Sequence, residues 1–304
     1  MVILLTGISF VFAVPHMWAD EVYPDYHSVI LPYVMSCDPG QIFMQGDYIH
    51  RNVLKYQLHC MSWHYLESPN ALLIPFNLMV PLLTYFVATA ITKDRIIGLI
   101  SFAAIGLNPL YMDWRYSGTY DMVWTFFILL SVYLLVKKHD FTPMLSMVIA
   151  IAAKSVALMY LPIWLITARK RKRVLGIVGG ILAVGIVIAI NDPTSARVLV
   201  GNEIGFFPEN FEDALGSNLS VLWPVLPALL ALFGINSVFR SQDKPPGKKL
   251  VLGWLLITII GTALVHMFTM QQTYGYRLGV FASFMSIYAG MVVVEAGNFI
   301  INRK

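Results

Sequence analysis

The sequence predicts an all-α fold: a polytopic transmembrane helical bundle of about ten spans, with both termini cytoplasmic and a long first outer loop. Three observations carry this. Hydrophobic residues make up 58% of the 304-residue chain and charged residues only 12%, with a mean hydropathy of +0.69, roughly half the charge of an ordinary soluble domain. Apolar stretches near membrane-spanning length recur from end to end. Basic residues then collect on alternate connections, as the positive-inside rule requires.

The apolar stretches fall near 2–18, 71–91, 96–111, 121–136, 142–154, 156–168, 174–190, 220–238, 250–269 and 278–299. The fifth and sixth are short. Fusing them would bury Lys154 near the bilayer centre, at a cost of several kcal/mol, so they read as a tight pair. Ten spans put Lys93, Arg95, Lys137, Lys138, the run Arg169–Arg173, Arg240, Lys244, Lys248, Lys249, Arg303 and Lys304 inside, which is 15 of 21 basic residues. Fusion would instead send Lys137-Lys138 and the RKRKR run to opposite sides. The run reads as a topology anchor. The +4 net charge, once distributed this way, gives no reason to expect a nucleic-acid partner. The first segment has no basic leader and no small-residue cleavage site before Asp20, which predicts a signal anchor.

The chain forms one transmembrane domain, residues 1–304, without repeats or a separable soluble part. Its outer loops are 19–70, 112–120, 191–219 and 270–277. Thirteen of the 17 acids fall on that side. Some of this merely complements the basic sorting, but Asp20, Glu21, Asp121, Lys154 and Arg277 all stand where a span meets the outer surface. Ionisable groups there face a cavity or a partner.

Each candidate has a plain reading beside its chemical one. Asp20 and Glu21 follow the first span directly; a carboxylate there accepts a proton from an incoming hydroxyl or binds a divalent cation, or it is a solvated helix end. Asp121 opens the fourth span, where the helix dipole favours an acid. Arg115 either binds phosphate or pairs with Asp113. Lys154 approaches a lipid-linked phosphate or snorkels to the interface. Arg277, between Tyr274 and Tyr276 and the last span, suits a phosphate at the bilayer surface or anchors an aromatic belt. His50, His59, His64 and Glu67 are lesser candidates for a metal site, since their spacing puts no obvious pair on one helical face. Cys37 and Cys60, both in the first outer loop, form a disulfide if that loop faces an oxidising compartment.

The order of these features resembles the GT-C superfamily of integral-membrane glycosyltransferases, which take sugar from a polyprenyl-phosphate carrier. The matching pieces are Asp20-Glu21 after the first span, HYLESPNALLIP (64–75), NPLYMDWRYSGTYDMVWTFF (108–127), AIAAKSVALMYLP (150–162) and YGYRLGVFASFMSIYAG (274–290). The resemblance implies transfer of a hexosyl or pentosyl group on the non-cytoplasmic face of the plasma membrane or its equivalent. Asp20 or Glu21 would be the base, with Asp25 a further contender, and Arg277, Lys154 and Arg115 would meet the phosphate. Asp121 would orient a basic partner or touch substrate, and any metal would be a divalent cation, Mg or Mn, held by outer-loop acids. The implied partners are the polyprenyl-phosphate-linked donor and the bilayer. The family's large soluble C-terminal domain is not represented, which leaves room for a membrane-protein partner. The competing class is a non-catalytic polytopic subunit with a histidine-rich outer loop, or a transporter; against the latter, charges crowd one face and no repeated halves appear.

Overall fold

Apolar runs separated by short charged or proline-bearing turns fold into helices that reverse at those turns. The computed structural model of the chain describes residues 1–21, 23–40, 53–119, 122–139, 142–167, 179, 247–269 and 279–301, and every regular element among them is helical. In chain order these are α1 (Val2–Met17), α2 (Leu31–Ser36), α3 (Val53–Leu66), α4 (Ile74–Thr92), α5 (Arg95–Gly106) and α6 (Pro109–Trp114). There follow α7 (Val123–Val136), α8 (Thr142–Ala153), α9 (Leu161–Thr167), α10 (Lys248–Thr269) and α11 (Gly279–Ile301). A π-helical turn, Tyr26–Ile30, leads into α2, and a 3-10 turn, Ser155–Tyr160, leads into α9.

The α4–α5 hairpin shows how local sequence sets these reversals. Pro75 sits in the first turn of α4, where its missing N–H costs nothing. Lys93 closes α4 in the left-handed region at φ 62°. Asp94 then caps α5, its carboxylate accepting from the Ile96 N–H at 2.7 Å.

Two described stretches, Ile74–Thr92 and Gly279–Asn298, are long and apolar enough to cross a membrane, and shorter apolar helices accompany them. Each described helix falls on an expected span or in the first outer loop except α6. That helix straddles the expected end of the third span at 111 and the loop from 112, because Asn108-Pro109 interrupts the helix after Gly106. Apart from residue 179, segments 174–190 and 220–238, and the loops at 191–219 and 270–277, lie outside the described residues. The expected break at Lys154 is present: α8 stops at Ala153 and the Lys154 backbone is extended (φ −158°, ψ 119°) before the 3-10 turn. The described parts of the loop 19–70 carry the π turn, α2 and α3. A disulfide between Cys37 and Cys60 joins the end of α2 to α3.

Aromatic residues fill the centre of the bundle: Trp124 of α7, Trp164 of α9, Trp254 of α10, and Phe281 and Phe284 of α11 are all buried. Small residues let neighbouring helices approach closely. A Cβ on Gly290 of α11 would come within 2.6 Å of Ser101 Oγ and 2.8 Å of the Ile97 carbonyl on α5. α1 docks on α4 through Ala13 and Met17 against Ile74 and Leu78. Its other flank presents Ile3, Leu4, Val11 and Phe12 outward, an apolar surface suited to lipid.

Candidate active site

The end of α1 is tied into the chain that follows α3, and this fixes where Asp20 and Glu21 stand. The Ser68 hydroxyl donates to the Met17 carbonyl, and Trp18 Nε1 donates to the Leu66 carbonyl at 3.1 Å. Two residues on, the acids diverge. Glu21 is 8% exposed. Its carboxylate accepts from the Ser117 hydroxyl at 2.8 Å, the Gly118 N–H at 2.6 Å, and the Thr119 N–H at 3.3 and 3.4 Å to its two oxygens. Three donors from a loop almost a hundred residues away satisfy a charge that burial would otherwise penalise heavily. Asp20 is exposed and, among the described residues, accepts one bond, from the Tyr26 hydroxyl at 3.1 Å.

The 117–119 loop is gripped from several sides. Asn77 of α4 donates from Nδ2 to the Ser117 carbonyl at 2.7 Å and accepts at Oδ1 from the Met122 N–H at 2.7 Å. The Lys55 ammonium of α3 donates to the Thr119 carbonyl. Gly118 fits because it has no side chain: a Cβ would lie 2.2 Å from Asn70 Oδ1. His59 is fully buried beneath, its Nδ1–H donating to the Pro69 carbonyl at 2.7 Å. Burial, then the nearby Lys55 charge, pull the His59 imidazole down to about 3, so it stays neutral.

Arg115 precedes this loop. Its guanidinium carbon lies 4.5 Å from the centre of the Tyr116 ring, on which His16 of α1 is also stacked at 4.4 Å with planes 5° apart. The Arg115 Nε is buried and has no hydrogen-bond partner among the described residues, and no ion pair to Asp113 forms. The ion-pair reading of Arg115 is therefore set aside. Lys154 stands at the same end of the bundle, its ammonium 5.9 Å from the Trp124 ring centre near the start of α7.

The structure thus places Glu21 against the 117–119 loop, with Asp20 next to it in the chain and Arg115 just before the loop, whereas Lys154 is placed beside Trp124 of α7. Asp25 is exposed in the segment before α2. Asp121, Arg277 and His50 lie outside the described residues. Of the lesser metal candidates, His59 is buried under the loop and His64 is exposed on α3. The Cys37, Cys60 and His64 ligand atoms fall within 4.8 Å of one another, with both sulfurs joined in the disulfide. Cys60 and His64 are four apart and share a face of α3, a pairing hidden when the histidines are counted only against each other. Sequence reasoning also missed Asn77, Lys55, Ser117 and Tyr26. One signal existed for Asn77, a lone amide inside the apolar run LLIPFNLMVPLL.

No protein-family model matches the chain, and a search of curated proteins finds none similar. Among solved structures, the chain is similar to ArnT from Cupriavidus metallidurans bound to undecaprenyl phosphate, with a TM-score of 0.61 and 12% identity, and to its apo state, with 0.60 and 11%. Each match covers 99% of this chain and 62% of the ArnT chain. Over nearly its whole length the chain shares the helical fold of the corresponding part of ArnT.

Proposed function

We propose that the chain is a membrane glycosyltransferase that moves a sugar from a polyprenyl-phosphate carrier to an acceptor hydroxyl or other nucleophile, on the non-cytoplasmic face. Asp20 is the base. The observation that carries this reading is the division of labour between the two neighbouring acids. Glu21 spends both oxygens on the 117–119 loop, whereas Asp20 keeps an exposed carboxylate next to that loop. A fold shared with a protein bound to undecaprenyl phosphate supports the carrier class, and the motif order resembling the GT-C enzymes supports the reaction class.

In the proposed step the acceptor oxygen attacks the anomeric carbon and Asp20 takes its proton. The anomeric carbon–phosphate oxygen bond breaks with inversion, and the polyprenyl phosphate leaves with that electron pair. Arg115, whose guanidinium has no carboxylate partner among the described residues, meets the charge growing on the phosphate, joined by Lys154 and Arg277. Asp121 orients these cations or touches substrate. Glu21 acts by holding the loop.

The test is transfer of labelled sugar from polyprenyl-phosphate donors by the purified chain in lipid, comparing wild type with Asp20→Asn and Glu21→Gln. Loss of a positioned base costs about 10²–10⁴-fold, so Asp20→Asn should fall in that range. Undiminished transfer by Asp20→Asn overturns the assignment. Binding of polyprenyl phosphate by a wild type that transfers nothing points instead to the non-catalytic class.

A further inference from the structure

We infer that Tyr26 is a positioning residue for Asp20, fixing the carboxylate so that one oxygen is left to take the acceptor's proton. This rests on the reading of Asp20 as the base. The phenol donates to Asp20 Oδ1 at 3.1 Å, six residues back along the chain. Asp20 lies past the end of α1 in non-helical chain and is exposed, so burial does little to fix its side chain. Tyr26 is the opposite case, a ring only 1% exposed.

Its surroundings explain why the ring stays fixed. Tyr26, Ile30, Val34 and Tyr56 form a small buried cluster of their own, apart from the bundle core. The Tyr56 ring meets Tyr33 edge-on at 5.2 Å, and the Cys37–Cys60 disulfide ties this segment to α3 a few residues away. The π-helical turn begins at Tyr26. Such single turns re-aim side chains relative to ordinary helical register and recur at functional sites. Burial, followed by the bond to Asp20, raises the Tyr26 phenol well above its ordinary range, so the hydroxyl keeps its proton and remains a donor. A tyrosine that merely needed to satisfy its own hydroxyl would have no reason to spend it on the one exposed acid of the pair.

The experiment is steady-state transfer kinetics on wild type, Tyr26→Phe, Asp20→Asn and the double variant in lipid. A hydrogen bond to a charged group predicts a kcat about tenfold lower or more in Tyr26→Phe, with the donor KM within about twofold of wild type because uniform binding is untouched. In the Asp20→Asn background the same change should have no further effect. Site-specific p-aminophenylalanine at position 26, which keeps the ring and an N–H donor, should recover part of the lost kcat. An unchanged kcat in Tyr26→Phe overturns the inference, as does an equal loss in the Asp20→Asn background, which would mark a structural role. If Tyr26→Phe fails to fold, 3-fluorotyrosine at position 26 takes its place, and an unaltered kcat then overturns the inference. Full activity in Asp20→Asn removes the base assignment itself. Loss in Asp20→Asn with normal Tyr26→Phe removes only the positioning role.

Discussion

Two regions of the molecule are held together by different means. In the seam where α5 meets α4 and α11, buried hydroxyls bond to their own helix: Thr84 to Val80, Ser101 to Ile97, Ser283 to Gly279 and Ser286 to Ala282. They tie no helix to another, so the seam rests on close approach at Gly98 and Gly290. Around the 117–119 loop the pattern reverses. Glu21, Asn77, Lys55 and Ser68 each spend their polar atoms on distant segments. The seam is specified by shape, as expected where lipid offers no hydrophobic drive for association. The loop is specified by donors and acceptors, as expected where a charge is buried.

This contrast predicts opposite sensitivities. The largest effect should come from adding volume to the seam. Gly290→Leu would drive a side chain into the Ile97 carbonyl and Ser101, and the backbone cannot yield as a flexible side-chain tip could. A loss of about 4 kcal/mol or more is expected, seen as failure to recover monodisperse protein from membranes. At the other region, removing a covalent tie comes next. The Cys37–Cys60 bond spans a separation of 23 residues, and Cys37→Ser with Cys60→Ser should cost about 3 kcal/mol, read as a lower thermal midpoint that reductant reproduces in wild type.

Smaller losses test the polar grip. Glu21→Gln places an amide N–H against N–H donors, orphaning at least one of them, at about 2 kcal/mol. Transfer should fall with stability, since the loop it holds leads to the α7 residues near Lys154. His59 adds a pH signature. Its folded value of about 3 lies below the ordinary 6.5, so the folded state binds fewer protons than the unfolded one. Its contribution is complete above about pH 6.5 and is lost as pH falls towards 3, at roughly 1.4 kcal/mol per unit. Thermal midpoints between pH 7 and 5 should decline in wild type and lose this component in His59→Asn.

The same division explains what could be read from the sequence. The helices of the bundle, and the break at Lys154, follow from hydropathy and charge placement, which are local properties. The site end was legible only in outline. Asp20-Glu21 stood out at the end of the first span, but nothing local separates them: the distinction is made by Ser117, Gly118 and Thr119, whose loop reaches Glu21 only when α1 and α6 share an end of the bundle. His59 and His64 stand five apart, a spacing that puts no obvious pair on one helical face. On α3 one turns into the protein and the other outward, and the apolar stretch around them has too little periodicity to reveal which.

The smallest expected effect is the sharpest test of the seam. Ser101 is fully buried, yet among the described residues its hydroxyl serves only the Ile97 carbonyl four residues back, an acceptor already within the helix ladder. Ser101→Ala should therefore change stability by less than about 0.5 kcal/mol, unlike removal of a buried polar group that another segment needs. It also vacates the position nearest Gly290, 2.6 Å from where a Cβ would stand. Gly290→Ala alone should destabilise by about 1–2 kcal/mol. With Ser101→Ala, part of that cost should return, leaving the portion set by the Ile97 carbonyl at 2.8 Å, which no side-chain change relieves. A coupling of roughly 0.5 kcal/mol or more in the thermal-stability cycle marks direct packing. Strict additivity would mean that Ser101 and Gly290 do not pack directly, and a large loss from Ser101→Ala by itself would mean that the hydroxyl bridges helices and that the seam and the site end are built alike.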